Sequence, residues 1–100
     1  MARFGQHTRI RARSGKRDEL LAKFVEAAEM QQDNPACELS LVSTSPDDPD
    51  VVFLTEVWTS ADDWEQARES AEVKAWAEGM PDLVDGPPDT TRLDPVAQRS

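Results

Sequence analysis

Residues 3–13 alternate in character. Phe4, Thr8, Ile10 and Ala12 fall on one parity, and His7, Arg9, Arg11 and Arg13 on the other. That period of two predicts a strand with one buried face. Ser14-Gly15 breaks the run. From Lys16 to about Gln32, the positions Leu20, Leu21, Phe24, Val25, Ala27 and Ala28 recur at three and four residues, the pattern of an amphipathic helix. Asp33-Asn34-Pro35 stops it, because proline lacks the N–H and drives Asn34 out of helical geometry.

Cys37 to Thr44 reads as a second strand, with Leu39 and Leu41 on one face. Ser45-Pro46-Asp47-Asp48-Pro49-Asp50 is a turn too long for a two-residue hairpin. Val51 to Trp58 follows as a nearly continuous apolar strand, which predicts burial on both faces. Ser60 caps the next helix with Asp63 three residues on, and Trp64, Ala67 and Ala71 form its expected buried stripe. A further helical set starts near Ser70 and carries Val73, Trp76, Ala77 and Met80, with Gly79 and Pro81 expected to end it. Residues 82–89 read as a loop and Thr90 to Leu93 as a short last strand.

The order is β-α-β-β-α-β with the second helix broken in two. It predicts an α+β fold of the ferredoxin-like, split βαβ type, an antiparallel sheet with helices on one face. An apolar third strand needs its other face covered too, most simply by a second copy of the sheet, so a homodimer is expected.

One hundred residues set a single domain over 1–100, with an ordered core at about 3–96. The single Cys37 closes no internal disulfide and makes no zinc set. No stretch approaches the roughly 20 apolar residues of a membrane span, and the opening Met-Ala-Arg-Phe-Gly reads as no signal peptide. A cytoplasmic protein is the expectation.

Charge is unevenly spread. Residues 1–23 carry seven basic side chains against two acidic ones, and residues 24–100 carry 4 against 18, for a total of −9. Such a total repels phosphate backbones, so nucleic acid is not expected as a partner. The basic head suits a strand facing acidic groups of the fold or of a second subunit better than an RNA arm.

No nucleophile–base–acid set is present, and the one histidine, His7, lies on the first strand. Gly15, Gly79 and Gly86 punctuate turns, and no Gly-rich loop cradles phosphate. Asp47-Asp48-Pro49-Asp50 lacks the spaced ligands of a cation loop. More informative are Trp58, Trp64 and Trp76, which converge between sheet and helices either as core or as walls of a flat apolar pocket. Lys74, two residues before Trp76, is either a solvated surface lysine, the commoner outcome, or one that reaches the edge of such a pocket. Gln6 and Thr8 share the parity of Phe4 and Ile10, so they point inward and need polar partners.

Four segments carry a family resemblance: Ile10-Arg11-Ala12-Arg13-Ser14-Gly15-Lys16, Glu56-Val57-Trp58-Thr59-Ser60, Lys74-Ala75-Trp76, and Met80 through Pro88. In their order and spacing, over about residues 3–96, the chain resembles the antibiotic biosynthesis monooxygenases, a family of dimeric α+β barrels. The resemblance implies cofactor-independent oxidation of a flat phenol, quinol or anthrone by O2, in a homodimer with no metal or cofactor. In the anthrone-oxidising branch the pocket uses an Asn, a Trp, a Tyr and an Arg, positions that fall here on Leu54, Trp58, Trp64 and Lys74. In the haem-degrading branch, Thr8 takes the place of the required Asn, and Trp76 or Ala77 that of the ligand His, which argues against haem. The helix histidines of the quinol monooxygenases are replaced by Asp63, Ala67 and Glu72.

On this resemblance Lys74 and Trp58 are the expected catalytic residues. Trp64, Trp76, Thr8, Gln6, Leu54, Phe4 and Phe24 are the expected substrate-binding ones. Lys74 would stabilise charge developing on oxygen. Glu56, Gln6 with a water, or the substrate's own acidity are the candidates for the proton acceptor. The rival reading is a non-catalytic dimer that binds an aromatic small molecule.

Overall fold

The computed structural model describes residues 3–99. Its elements are β1 (Phe4–Arg11), α1 (Arg17–Met30), β2 (Cys37–Thr44), β3 (Val51–Trp58), α2 (Ala61–Arg68), α3 (Ala71–Ala77), a 3-10 turn (Met80–Asp82) and β4 (Asp89–Leu93). The strands form one antiparallel sheet in the order β2-β3-β1-β4, so β3 threads between β1 and β2 as the split βαβ arrangement requires. The expected ferredoxin-like α+β fold is therefore the observed one.

Register decides what each strand presents. Phe4, Gln6, Thr8 and Ile10 lie opposite Trp58, Glu56, Leu54 and Val52, so these eight residues share the face under the helices. The other face carries His7, Arg9 and Arg11 beside Thr55, Phe53 and Val51. Ile10, Ala12, Leu20, Phe24, Val52 and Leu83 form the core between sheet and α1, and Leu20 is fully buried.

Local chemistry explains the ends of the elements. Gly15 takes a positive φ of 78°, which swings the chain from β1 into α1. α1 ends at Met30, two residues before the expected stop, and the Asn34 side chain accepts from the Ala36 N–H in a turn of its own. Ser60 caps α2 by accepting from the Asp63 N–H, while Thr59 and Ser60 donate to the Asp63 carboxylate and hold its pKa below the ordinary value. Arg11 and Asp48 pair at 2.6 Å and tie the acidic turn to β1.

Three expectations are corrected. α2 and α3 bury no residue fully, and Ala71 and Ala77 are exposed. The helix breaks after Arg68, and the turn it makes carries Ala71 off the inward stripe. Gly79 and Pro81 do not end α3, which stops at Ala77; they belong to the following 3-10 turn. β3 is buried at both ends, at Val51, Val52, Val57 and Trp58, but its middle is only half-buried: Leu54 and Glu56 line an open cavity under the helices, and Phe53 and Thr55 lie on the face that no helix covers. Leu41 on that face is 50% exposed.

Candidate functional site

A strand that alternates delivers every second side chain to one side, and β3 places Leu54, Glu56 and Trp58 in a row beneath the helices. Gln6 from β1 and Ser40 from β2 flank Glu56 in register. α2 and α3 are too short and too sparsely apolar to close down on this row. The result is a cavity of about 450 Å³ between the sheet and the helices. α2 contributes Trp64, Ala67 and Arg68, α3 contributes Val73, Lys74, Trp76 and Ala77, and α1 closes one end with Ala27, Met30 and Gln31. Mostly apolar walls with a few convergent polar groups are the usual make-up of a small-molecule site.

The polar groups are few and specific. Glu56 and Trp58 are neighbours on one strand face, and the Trp58 indole Nε1 donates to Glu56 Oε1 at 3.2 Å. Burial pushes the Glu56 carboxyl above its ordinary value, a rise that the Trp58 hydrogen bond and the charge of Arg68 partly oppose. Burial, with help from the Glu56 charge, raises the nearby Cys37 thiol as well. The Arg68 guanidinium lies 4.6 Å from the centre of the Trp64 ring, one helical turn away. Arg68 and Lys74 are exposed at the rim, so two cations stand beside an apolar interior.

Trp76 has a second task. Its Nε1 donates to the Lys23 carbonyl at 2.7 Å, and Lys23 Nζ donates back to the Trp76 carbonyl at 2.7 Å. This reciprocal clamp pins α3 to α1. It also commits the indole N–H, so Trp76 offers a ligand its ring and no donor.

Six of the nine expected site residues line the cavity: Gln6, Leu54, Trp58, Trp64, Lys74 and Trp76. The other three stand behind its wall. Phe4 stacks on Trp64, with centroids 4.6 Å apart, and is itself covered by Arg92. Phe24 is buried in the core, tilted against Trp76 at 5.9 Å. Thr8 is buried and satisfied by Gln6 Nε2 and Thr90 Oγ1. Sequence reasoning missed Arg68, although its spacing of four from Trp64 is the spacing of facing residues on a helix. It also missed Ser40, which shares a strand face with Val42.

His7 is on the opposite face of the sheet, where Nδ1 bonds Thr55 Oγ1 at 2.9 Å and the ring stacks on Phe53. Among the described residues, no three His, Cys, Asp or Glu side chains come together as a metal site. Among the same residues, no helix is long and apolar enough to cross a membrane.

The chain is similar along its whole length to solved structures. A candidate antibiotic biosynthesis monooxygenase from Chloroflexus aurantiacus is 28% identical, with a TM-score of 0.84 over 99% of this chain and 98% of that one. Another from Caulobacter crescentus is 22% identical, with a TM-score of 0.86 over 96% and 92%. A Mycobacterium tuberculosis protein shares the fold at 19% identity, with a TM-score of 0.86 over 99% and 100%. No curated protein matches the chain. Residues 3–79 match the model of one family, described as antibiotic biosynthesis monooxygenase. With that match over most of its length, its α+β sheet topology and these neighbours, the chain belongs to the antibiotic biosynthesis monooxygenase family.

Proposed function

We propose that this protein is a cofactor-independent monooxygenase that oxidises a flat phenol, quinol or anthrone with O2 in the cavity under α2 and α3. The observation that carries the reading is the pairing of three indole rings with a cationic rim around one cavity. Family membership supports a monooxygenase-like role; the substrate class and the residue roles are the proposal.

The chemistry asks little of the protein beyond binding and electrostatics. A hydroxylated aromatic that loses a proton becomes an anion able to pass one electron to O2. The resulting radical and superoxide combine into a C–O bond. Where the reacting carbon carries two hydrogens, one oxygen stays as a carbonyl and the other leaves in water with both hydrogens, so no external reductant is consumed. Trp58, Trp64 and Trp76 suit a planar ring, and Leu54 keeps the floor apolar. Lys74 and Arg68 suit the negative charge that develops on oxygen. Phe4, Phe24 and Thr8 support the wall from behind.

The active form in this reading is a homodimer joined through the open face of the sheet, where Leu41 is exposed and Phe53 and His7 stack. The test is oxygen uptake by metal-stripped protein with anthrones, naphthoquinols and catechols. Protein-dependent uptake that falls in both Trp58→Ala and Lys74→Ala supports the proposal. Quenching of tryptophan fluorescence by quinones, with no uptake above autoxidation, replaces it with the non-catalytic binding dimer. That alternative has its own support, since Leu54 and Trp64 leave the wall without the amide and phenol of the anthrone-oxidising branch.

A further inference from the structure

Resting on the monooxygenase reading, we infer that Glu56 is the catalytic base that takes the proton from the substrate's hydroxyl. Three observations converge on it. Glu56 is the one carboxylate among the described residues that line the cavity. The remaining polar wall groups serve poorly, since Gln6, Gln31 and Ser40 are weak bases and Arg68 and Lys74 carry protons already.

Geometry supplies the second observation. The indole N–H of Trp58 occupies Glu56 Oε1 at 3.2 Å and fixes the carboxylate plane. Among the described residues, Oε2 has no hydrogen-bond partner, yet no fully buried side-chain oxygen or nitrogen goes unpartnered. Oε2 is therefore not fully buried, and because Glu56 lines the cavity it is the oxygen left for a ring stacked beside Trp58. The third observation is electrostatic. Burial makes the carboxylate a stronger base than an ordinary glutamate.

The step balances simply. The substrate O–H bond breaks and an H–Oε2 bond forms, the electron pair stays on the aryl oxygen, and the negative charge moves from Glu56 to the substrate. Neutral Glu56 then no longer opposes charge arriving on O2, and Arg68 and Lys74 hold the aryl oxide. Gln6 from β1 and Ser40 from β2 flank Glu56 in register, Cys37 from β2 and Arg68 from α2 are close enough to couple to its charge, and Lys74 from α3 lines the same cavity. α1 brings only the uncharged Ala27, Met30 and Gln31.

Glu56→Gln keeps the shape and the oxygen that accepts from Trp58, and Glu56→Asp keeps a carboxylate. Oxygen uptake with 1,4-naphthalenediol is measured for both and for the wild type from pH 6 to above the ionisation of the diol. Glu56→Gln is expected to lose about 100-fold or more in kcat near pH 7, with KM little changed. The deficit closes about tenfold per pH unit as the diol ionises by itself. Glu56→Asp recovers part of the loss, and quinone quenching of the tryptophans is retained in both variants. Uptake by Glu56→Gln that equals the wild type, or that is reduced by one factor at every pH, overturns the inference and leaves the monooxygenase reading standing. No uptake by the wild type overturns both.

Discussion

Trp76→Phe isolates the clamp that holds the roof of the cavity. None of α3 is fully buried, so its attachment to α1 depends on few contacts. Chief among them are the two 2.7 Å bonds exchanged by Lys23 and Trp76, with Lys23 Nζ also 5.7 Å from the ring centre. Phenylalanine keeps a ring against Phe24 and removes the donor to the Lys23 carbonyl. The lost hydrogen bond costs about 1 kcal/mol. The smaller ring gives up roughly 40 Å² of burial, about another 1 kcal/mol at 25 cal/mol/Å². Because α3 can lift while the sheet stays paired, the loss falls on local opening more than on global unfolding. At about 1.4 kcal/mol per tenfold, the α3 amides should exchange hydrogen roughly 30-fold faster while the β3 amides keep near wild-type protection. Native-state hydrogen exchange reads both segments at once. α3 protection within twofold of wild type would refute the clamp, and an equal loss in α3 and β3 would refute local opening.

Other predictions follow from the same geometry. Glu56→Gln should be more stable than wild type near pH 7. The folded-state carboxyl is raised above its ordinary 4.5, so the stability it contributes is complete below that value and is lost as pH rises through the folded value. Urea midpoints of the two proteins should therefore converge on acidification, and a gap independent of pH would contradict the burial argument. Gly5→Ala would place a Cβ 3.0 Å from Leu93 Cβ and from the Leu93 carbonyl, so β4 should loosen and the melting temperature fall. If the proposed homodimer joins through the open sheet face, the wild type should sediment at twice 11.1 kDa, and Leu41→Glu, a charge at a half-exposed position there, should leave the fold intact and bring the mass to 11.1 kDa. A wild type at 11.1 kDa would refute the dimer, and a variant that stays at twice that mass would refute this face as its interface.

Much of this arrangement is legible in the sequence, for reasons that differ by element. The parity of β1 was visible because Phe4, Thr8 and Ile10 alternate with charged residues, and the same rule carried Gln6 to the cavity. The limits of β2 and β3 were sharp because Pro35 and the acidic turn at 45–50 bound them. The helical layer was harder. The break near Ser70 was readable, since Ser70 caps α3 locally, but Ala71 and Ala77 are apolar enough to read as buried and are exposed, because how α3 lies over the sheet is not set by its own periodicity. The part of the wall built by Met30 and Gln31 depends on how α1 rotates over the sheet, which periodicity does not determine. Phe4 and Phe24 show the same limit. An inward aromatic can face a cavity or back its wall, and only the Trp64 and Trp76 rings lying in front of them decide which.

The most direct test of the central claim follows the oxygen atoms. Metal-stripped protein turns over an anthrone under 18O2 with no cofactor added, beside Trp58→Ala and a protein-free control. The account predicts one labelled oxygen in each product molecule, the other in water, at a rate set by the wild-type protein and lost in Trp58→Ala. Incorporation no faster than the control, or product oxygen drawn from water, would contradict it.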